Sequence, residues 1–206
     1  MPSAWLLGSA IIGYLLGSLP FGYLVARAHG VDIFKVGSGN PGATNVKRTL
    51  GAKAGNTVLV LDVLKGALAT VWPMLPMLSA PDPRLMGLAG IIAAVLGHSF
   101  SLFTGFRGGK GVATAAGGLF VLIPEACVIA GATWVVVFYA FRYVSLASII
   151  AAVAVIAASW LLSYHAAIRV VATLLGLFVI LRHRENIARL LAGTENKFAK
   201  KPKAQP

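Results

Sequence analysis

Acidic residues and cysteine are scarce in this sequence of 206 residues. It has 6 Asp and Glu against 18 Lys and Arg, and a single cysteine, Cys127. One cysteine excludes an intramolecular disulfide and leaves no metal-ligand spacing. So few carboxylates also form no cluster that would hold a divalent cation. We therefore expect neither a metal nor a cofactor.

Charged residues of any kind are few, at 12%, whereas 58% of the residues are apolar. A chain of this length cannot bury that much apolar surface in one soluble core, so the composition predicts an integral membrane protein. The net charge of +12 does not indicate nucleic acid, because the cations occur in short breaks between apolar runs rather than beside exposed aromatic residues. The expected partner is the lipid bilayer.

The apolar runs predict an all-α integral membrane protein with seven transmembrane helices. They cover residues 4–26, 54–78, 85–103, 112–123, 125–141, 146–163 and 166–181. Because two runs are short, residues 112–141 could instead form one helix kinked at Pro124. A break at Pro124 places 15 of the 18 Lys and Arg on one side, whereas six spans would put the basic C-terminus outside. We therefore expect the N-terminus outside and the C-terminus in the cytoplasm.

The same pattern predicts one transmembrane catalytic domain over residues 1–196 and a basic cytoplasmic tail over residues 197–206. We expect the polar stretch from Gly193 to Pro206 to fray against anionic lipid. Gly13 and Gly17 have the spacing that allows close approach of a second membrane helix, and Gly87, Gly90, Gly117 and Gly118 are expected to act in the same way.

The loop at residues 37–48 reads GSGNPGATNVKR. Its glycines let backbone N–H groups turn toward an anion, and Arg48 adds charge. Side-chain donors come from Ser38, Asn40, Thr44 and Asn45. The loop therefore predicts phosphate chemistry at a membrane surface.

Three further polar breaks, at residues 105–114, 142–148 and 182–187, fall on the same side in the seven-span arrangement. A composite site is therefore possible, although the sequence does not show that the breaks touch. Two nucleotide-binding patterns fail here. The glycines at 37, 39 and 42 match the dinucleotide-binding pattern Gly-x-Gly-x-x-Gly, but they follow a membrane helix rather than a strand. Residues 108–111 resemble part of a Walker A loop, but Gly111 stands where that loop has its hydroxyl residue. Lys110 can still bind phosphate as a point charge.

Ionisable residues also occur within the apolar runs. Asp62 and Lys65 lie on one helix face, where each alone would be costly in hydrocarbon, so we expect them to pair. The pair is either structural or supports the cationic loop of the site. His98 and His165 are expected to be packing residues, whereas His183 shares a helix face with Asn186. With only three Asp, at 32, 62 and 82, the sequence offers no Ser-His-Asp set.

These motifs resemble those of the bacterial membrane-embedded acyl-phosphate-dependent glycerol-3-phosphate acyltransferase family. The matching stretches span nearly the whole length: GSGNPGATN at 37–45, LDVLKG at 61–66, GGKGVAT at 108–114, SLAS at 145–148 and RHRENI at 182–187. The resemblance implies transfer of a fatty acyl group from acyl phosphate to the 1-hydroxyl of glycerol 3-phosphate, giving lysophosphatidic acid and phosphate. It also implies a multi-pass protein of the bacterial plasma (inner) membrane whose active site faces the cytoplasm.

The resemblance further implies which residues meet which substrate. Acyl phosphate would be held by Ser38, Gly39, Asn40, Gly42, Thr44, Asn45 and Lys110. Glycerol 3-phosphate would be held by Arg48, Ser148, His183 and Asn186. Within these sets Asn40, Lys110 and His183 would be catalytic, with His183 either a base or, as we favour, a hydrogen-bond donor to glycerol 3-phosphate.

The implied donor is neither acyl-CoA nor an acyl-carrier protein. Soluble glycerophosphate acyltransferases use His-x-x-x-x-Asp, and none of the four histidines here has Asp five residues later. An acyl phosphate is already activated, and the family is thought to let the substrate's own phosphate assist deprotonation. Two alternatives remain open from the residues alone: a small organic-phosphate transporter, and a lipid-binding scaffold without turnover.

Overall fold

The computed structural model describes residues 2–198. Within them the chain forms ten α-helices and three short 3₁₀ turns, and it has no strand. The α-helices are α1 Pro2–Ser18, α2 Phe21–Ala28, α3 Ala43–Leu50, α4 Ala52–Val71, α5 Pro83–Ser99, α6 Val112–Leu122, α7 Pro124–Phe141, α8 Val144–Leu161, α9 Ala166–Arg182 and α10 Arg184–Leu191. The all-helical prediction is confirmed.

Five helical segments of the described residues are long and apolar enough to cross a bilayer. They are Ser3–Ala28, Ala52–Met74, Pro83–Thr104, Pro124–Phe141 and Val144–Leu161. A sixth is present if α9 and α10, which meet at a bend of 55°, count as one broken span. Helix α6, with 11 residues, is shorter, and at 1.5 Å per residue it extends only about 16 Å. The structure thus has several membrane-length helices, and the count of seven stays a prediction.

Proline residues set two helix breaks. Pro124 is the first residue of α7, where its missing N–H costs no hydrogen bond, so residues 112–141 form two helices rather than one. Pro20 separates α1 from α2, and the Lys65 Nζ donates at 2.9 Å to the carbonyl of Leu19 in this break. The same ammonium lies 2.8 Å from the Asp62 carboxylate, which confirms the expected pair.

Glycine allows the helices of the bundle to approach closely. A Cβ on Gly13 or Gly17 would lie 2.3 or 2.1 Å from a backbone oxygen of α5. A Cβ on Gly117 would lie 2.0 Å from the Val63 carbonyl of α4. The packing role predicted for these glycines is confirmed, and it brings the start of α6 against the middle of α4.

The C-terminal segment does not fray where it leaves α10. Glu195 is buried and hydrogen-bonded, and the backbone N–H of Phe198 donates to the Arg142 carbonyl at 3.0 Å. The prediction of a frayed stretch from Gly193 is therefore wrong for residues 195–198, because Glu195 finds polar partners that hold it against the bundle. The remaining residues of the predicted tail, 199–206, lie outside the described residues.

Candidate active site

A cavity of about 340 Å³ lies where the four polar breaks meet. Nearly all of the residues proposed from the sequence line it: Ser38, Asn40, Gly42, Thr44, Asn45, Arg48, Lys110, Ser148, His183 and Asn186. Gly39 is not among the lining residues. Its φ of +64° is a left-handed conformation that favours glycine, so it allows the loop to turn at this position. The fold therefore brings together residues that lie up to 148 positions apart in the chain.

Two helix N-termini face this cavity. Gly42, Ala43 and Thr44 open α3, and Gly111, Val112 and Ala113 open α6, and all six residues line the cavity. The first N–H groups of a helix have no intrahelical partner and carry a partial positive charge. Two such termini beside Arg48 and Lys110 form an arrangement that attracts phosphate.

The amide residues of the first loop are engaged with backbone groups. Asn45 accepts from the Ser38 N–H at 3.0 Å and donates to the Val36 carbonyl at 3.0 Å. Asn40 accepts from the Gly42 N–H at 2.9 Å and faces the Gly108 carbonyl at 3.5 Å. Their amides hold the shape of the loop and join it to the loop before α6.

The position of Lys110 is set by the glycine loop around it. The Gly109 N–H donates to the His98 carbonyl at 3.1 Å, and Arg182 Nη2 donates to the Gly109 carbonyl at 3.0 Å. The Lys110 ammonium in turn donates to Asn186 Oδ1. Burial is the main cause that lowers the pKa of Lys110 to about 8, assisted by Arg189 and Arg182 and opposed by Glu195 and Glu185.

His183 lies beyond the end of α9, at the bend before α10. Its Nδ1 is 2.7 Å from the Val179 carbonyl. A carbonyl only accepts, so Nδ1 carries the proton and Nε2 of the neutral ring has a lone pair. Burial is the largest cause that lowers the pKa of His183 to about 4. The donor role expected from the sequence therefore does not fit this geometry, and the neutral ring offers an acceptor.

Six polar or aromatic residues that the sequence did not assign to the site also line the cavity: His98, Trp134, Ser145, Arg189, Glu195 and Asn196. Asp62, which the sequence suggested as a structural or a supporting residue, lines it too. Asp62 lies 3.6 Å from His98 Nδ1 as well as pairing with Lys65, so the ion pair adjoins the site. Trp134 Nε1 donates to Ser148 Oγ at 3.2 Å. The sequence singled out Asp62 as an ionisable residue in an apolar run. No sequence pattern near Trp134 or Glu195 indicated that either residue belongs to a site.

A second cavity, of about 180 Å³, lies between α6, α7, α8 and α9. Its walls are mostly apolar, and it shares Val112, Ala116, Trp134 and Ser148 with the polar cavity. The two spaces adjoin, so a molecule with a charged head and an apolar tail can be held with each part in a matching environment.

Comparisons with known proteins agree with this geometry. The sequence model of a family described as glycerol-3-phosphate acyltransferase matches residues 7–193. A glycerol-3-phosphate acyltransferase of Aquifex aeolicus (strain VF5) is 44% identical over 193 residues, which cover 91% of this chain and 96% of that protein. One of Bacillus subtilis (strain 168) is 43% identical over 188 residues, covering 91% of this chain and 94% of that protein.

Two solved structures are similar to this fold. Both are crystal structures of PlsY (YgiH), described as an integral membrane glycerol 3-phosphate acyltransferase. The glycerol 3-phosphate form has a TM-score of 0.87 and 42% sequence identity, covering 94% of this chain and 96% of that one. The lysophosphatidic acid form has a TM-score of 0.85 and 41% identity, covering 94% and 95%.

Proposed function

This chain belongs to the glycerol-3-phosphate acyltransferase family, and from that membership we propose that it transfers a fatty acyl group to glycerol 3-phosphate and forms lysophosphatidic acid. One observation carries the proposal: two helix N-termini, Lys110 and Arg48 converge on a cavity that adjoins an apolar one. This arrangement suits phosphate-bearing substrates of which one carries an acyl chain.

The donor that fits this site is acyl phosphate. Its phosphate would lie against the N-termini of α3 and α6 with Lys110, and the first part of its acyl chain would enter the apolar cavity. The hydroxyl oxygen of glycerol 3-phosphate attacks the acyl carbon, the ester bond forms, and the anhydride bond to phosphate breaks. Phosphate leaves with the bonding electron pair, and the positive groups around it stabilise that charge.

The acceptor substrate is proposed to contact Arg48, Ser148, His183 and Asn186. His183 Nε2 would accept a hydrogen bond from a glycerol hydroxyl and so orient it. With a pKa of about 4, His183 is a poor base. A phosphate group, whose second pKa is about 6 in water, is the stronger base. We therefore assign the proton of the attacking 1-hydroxyl to a substrate phosphate oxygen.

Seven membrane crossings are part of the same proposal, with the N-terminus outside and the site at the cytoplasmic face of the bacterial inner membrane. The distribution of Lys and Arg supports this orientation. Helix α6 would cross together with the glycine-rich loop before it, whose irregular backbone lines the polar cavity.

The alternative of an organic-phosphate transporter gains no support. Apart from Asp62, His98 and Trp134, the polar side chains of the site come from α10, the residues after it and the four breaks that the sequence places on one side of the membrane, and an apolar cluster fills the packing of α5 to α9. Alternating access requires a site near the bilayer midplane that opens to both sides.

The test is turnover by purified protein supplied with acyl phosphate and glycerol 3-phosphate. We expect lysophosphatidic acid and phosphate in equal amounts, and no product when acyl-CoA or acyl-carrier protein replaces acyl phosphate. Lys110→Ala should lower the rate about 10²- to 10³-fold, because it removes a preorganised charge. Folded, monodisperse protein without turnover would refute the enzymatic proposal, and turnover with acyl-CoA alone would refute the donor.

A further inference from the structure

The chain returns to the active site after α10. Residues 195–198, the C-terminal strap, contact α3, α10 and the connection between α7 and α8. Glu195 and Asn196 line the polar cavity beside the residues of the four polar breaks. The strap therefore forms part of the cavity wall, although the sequence suggested only a polar tail.

Glu195 is tightly held, with 4% of its side chain exposed. Its Oε1 accepts from Ser145 Oγ at 2.8 Å and from Asn186 Nδ2 at 2.7 Å, and its Oε2 accepts from Arg189 Nε at 2.7 Å. Burial alone would raise the pKa of Glu195, but hydrogen bonds from Asn186, Arg189 and Ser145 outweigh it and hold the pKa below its usual value. The carboxylate is charged and both of its oxygens are bonded, which suits it to positioning rather than proton transfer.

The contact with Glu195 decides which way the Asn186 amide points. A carboxylate only accepts hydrogen bonds, so the NH₂ end of Asn186 must face Glu195. The amide oxygen then faces the opposite way and accepts from the Lys110 ammonium. In this way Glu195 acts through Asn186 on the position of Lys110.

The next strap residues hold the second site cation. Arg48 Nη2 donates to the Asn196 carbonyl at 2.9 Å, and its guanidinium lies 4.8 Å from the centre of the Phe198 ring. Phe198 is itself fixed by its backbone bond to Arg142 and by an edge contact with the Phe138 ring. Arg48 is thus placed by a segment 148 positions later in the chain.

We propose that the C-terminal strap completes the active site, with Glu195 positioning Asn186 and Lys110, and with Asn196 and Phe198 positioning Arg48. This inference rests on the acyltransferase function proposed above. It assigns to residues 195–198 a role in setting the geometry of the two cations, without contact to the reacting atoms.

A double-mutant cycle tests the role of Glu195. We expect Glu195→Ala to lower kcat/KM for glycerol 3-phosphate about 10²-fold, the usual effect of small misplacements in a site. Glu195→Gln should be less affected, because its amide oxygen still accepts from Asn186. In an Asn186→Ala background, Glu195→Ala should change the rate little further. An equal loss in both backgrounds would overturn the proposal, because Glu195 would then act independently of Asn186.

A matched control is available at the other end of the bundle. Glu125→Ala removes the same charge from an exposed carboxylate that accepts from the Tyr164 hydroxyl. It should leave kcat and KM unchanged. If Glu125→Ala lowers kcat/KM as much as Glu195→Ala does, the effect is one of net charge and the assignment to Glu195 fails.

Truncation tests the strap as a whole. Protein that stops after Phe198 should keep wild-type kcat/KM, whereas protein that stops after Thr194 should lose at least as much as Glu195→Ala. Wild-type kcat/KM in the shorter protein would overturn the proposal. Because the shorter protein could fail to fold, Phe198→Ala provides a point variant, for which weaker glycerol 3-phosphate binding at unchanged melting temperature is expected.

Equilibrium binding of glycerol 3-phosphate without any acyl donor separates the two proposals. Wild-type protein that binds glycerol 3-phosphate but never turns over refutes the acyltransferase function, while weaker binding by Glu195→Ala still supports the strap. Unchanged binding and unchanged turnover in Glu195→Ala refute the strap and leave the acyltransferase intact.

Discussion

Raising the pH from about 7 to about 9 is expected to lower kcat/KM about tenfold by deprotonating Lys110. Lys110 lies in a partly buried loop position beside Arg182 and Arg189, and burial is the largest cause that lowers its pKa to about 8. The lowered value places the loss of its charge within an accessible pH range. Ordinary lysines remain charged there.

The size of the effect follows from the pKa. One pH unit below a pKa of about 8 roughly nine-tenths of Lys110 is charged, and one unit above it roughly one-tenth is charged. Activity that needs the ammonium therefore falls as pH rises through about 8. His183, with a pKa of about 4, stays neutral over the whole range, and substrate phosphates with a second pKa of about 6 are already about nine-tenths ionised at pH 7.

The assay is the initial rate of lysophosphatidic acid formation at subsaturating substrate across this pH range, corrected for spontaneous hydrolysis of acyl phosphate at each pH. Lys110→Arg is the control, because a guanidinium stays charged at every pH used. It should be slower than wild type, since its planar fork places the charge differently, and its rate should be flat. A flat wild-type profile, or the same alkaline decrease in Lys110→Arg, would refute the reasoning.

Three further predictions concern the acceptor, the topology and the packing. His183→Ala should raise KM for glycerol 3-phosphate more than His183→Asn, whose amide oxygen can still accept from a hydroxyl; lost turnover in His183→Asn with unchanged affinity would instead make His183 the base. In a background without the native cysteine, Lys197→Cys should react with an impermeant thiol reagent only from the cytoplasmic side and Arg84→Cys only from outside. The reverse pattern would refute the orientation, and labelling of both residues from the same side would refute seven spans. Gly117→Leu should lower the melting temperature, because overpacking typically reduces the free energy of unfolding by about 1–3 kcal/mol. Gly131→Leu should not, because a Cβ added there meets nothing within 4 Å. Equal melting temperatures of the two variants would refute the close packing of α6 on α4.

Much of the fold follows from the sequence because lipid imposes simple constraints. Apolar runs in a bilayer must form helices to satisfy their backbone hydrogen bonds, so run lengths and the break at Pro124 predicted the bounds of α6 to α9 within two residues. They did not predict the break at Pro20 or the end of α4 at Val71. Asp62 and Lys65 had to pair for the same reason, since neither charge is stable alone in hydrocarbon. The glycine-rich loop and the cation Arg48 after it also predicted residues that line the polar cavity.

The tertiary structure decided what the residue types left open. Only folding shows that Glu195 turns the Asn186 amide toward Lys110, because the contact joins residues after α10 and on α10 to a loop residue 76 positions before Asn186. The His183 ring is fixed by a local contact, since its bond to the Val179 carbonyl four residues earlier sets the protonated nitrogen and changes the expected donor into an acceptor. Sequence determines local helix formation through composition and spacing, whereas the direction of such hydrogen bonds depends on the folded geometry and, for Lys110 and Arg48, on partners 76 and 148 positions away.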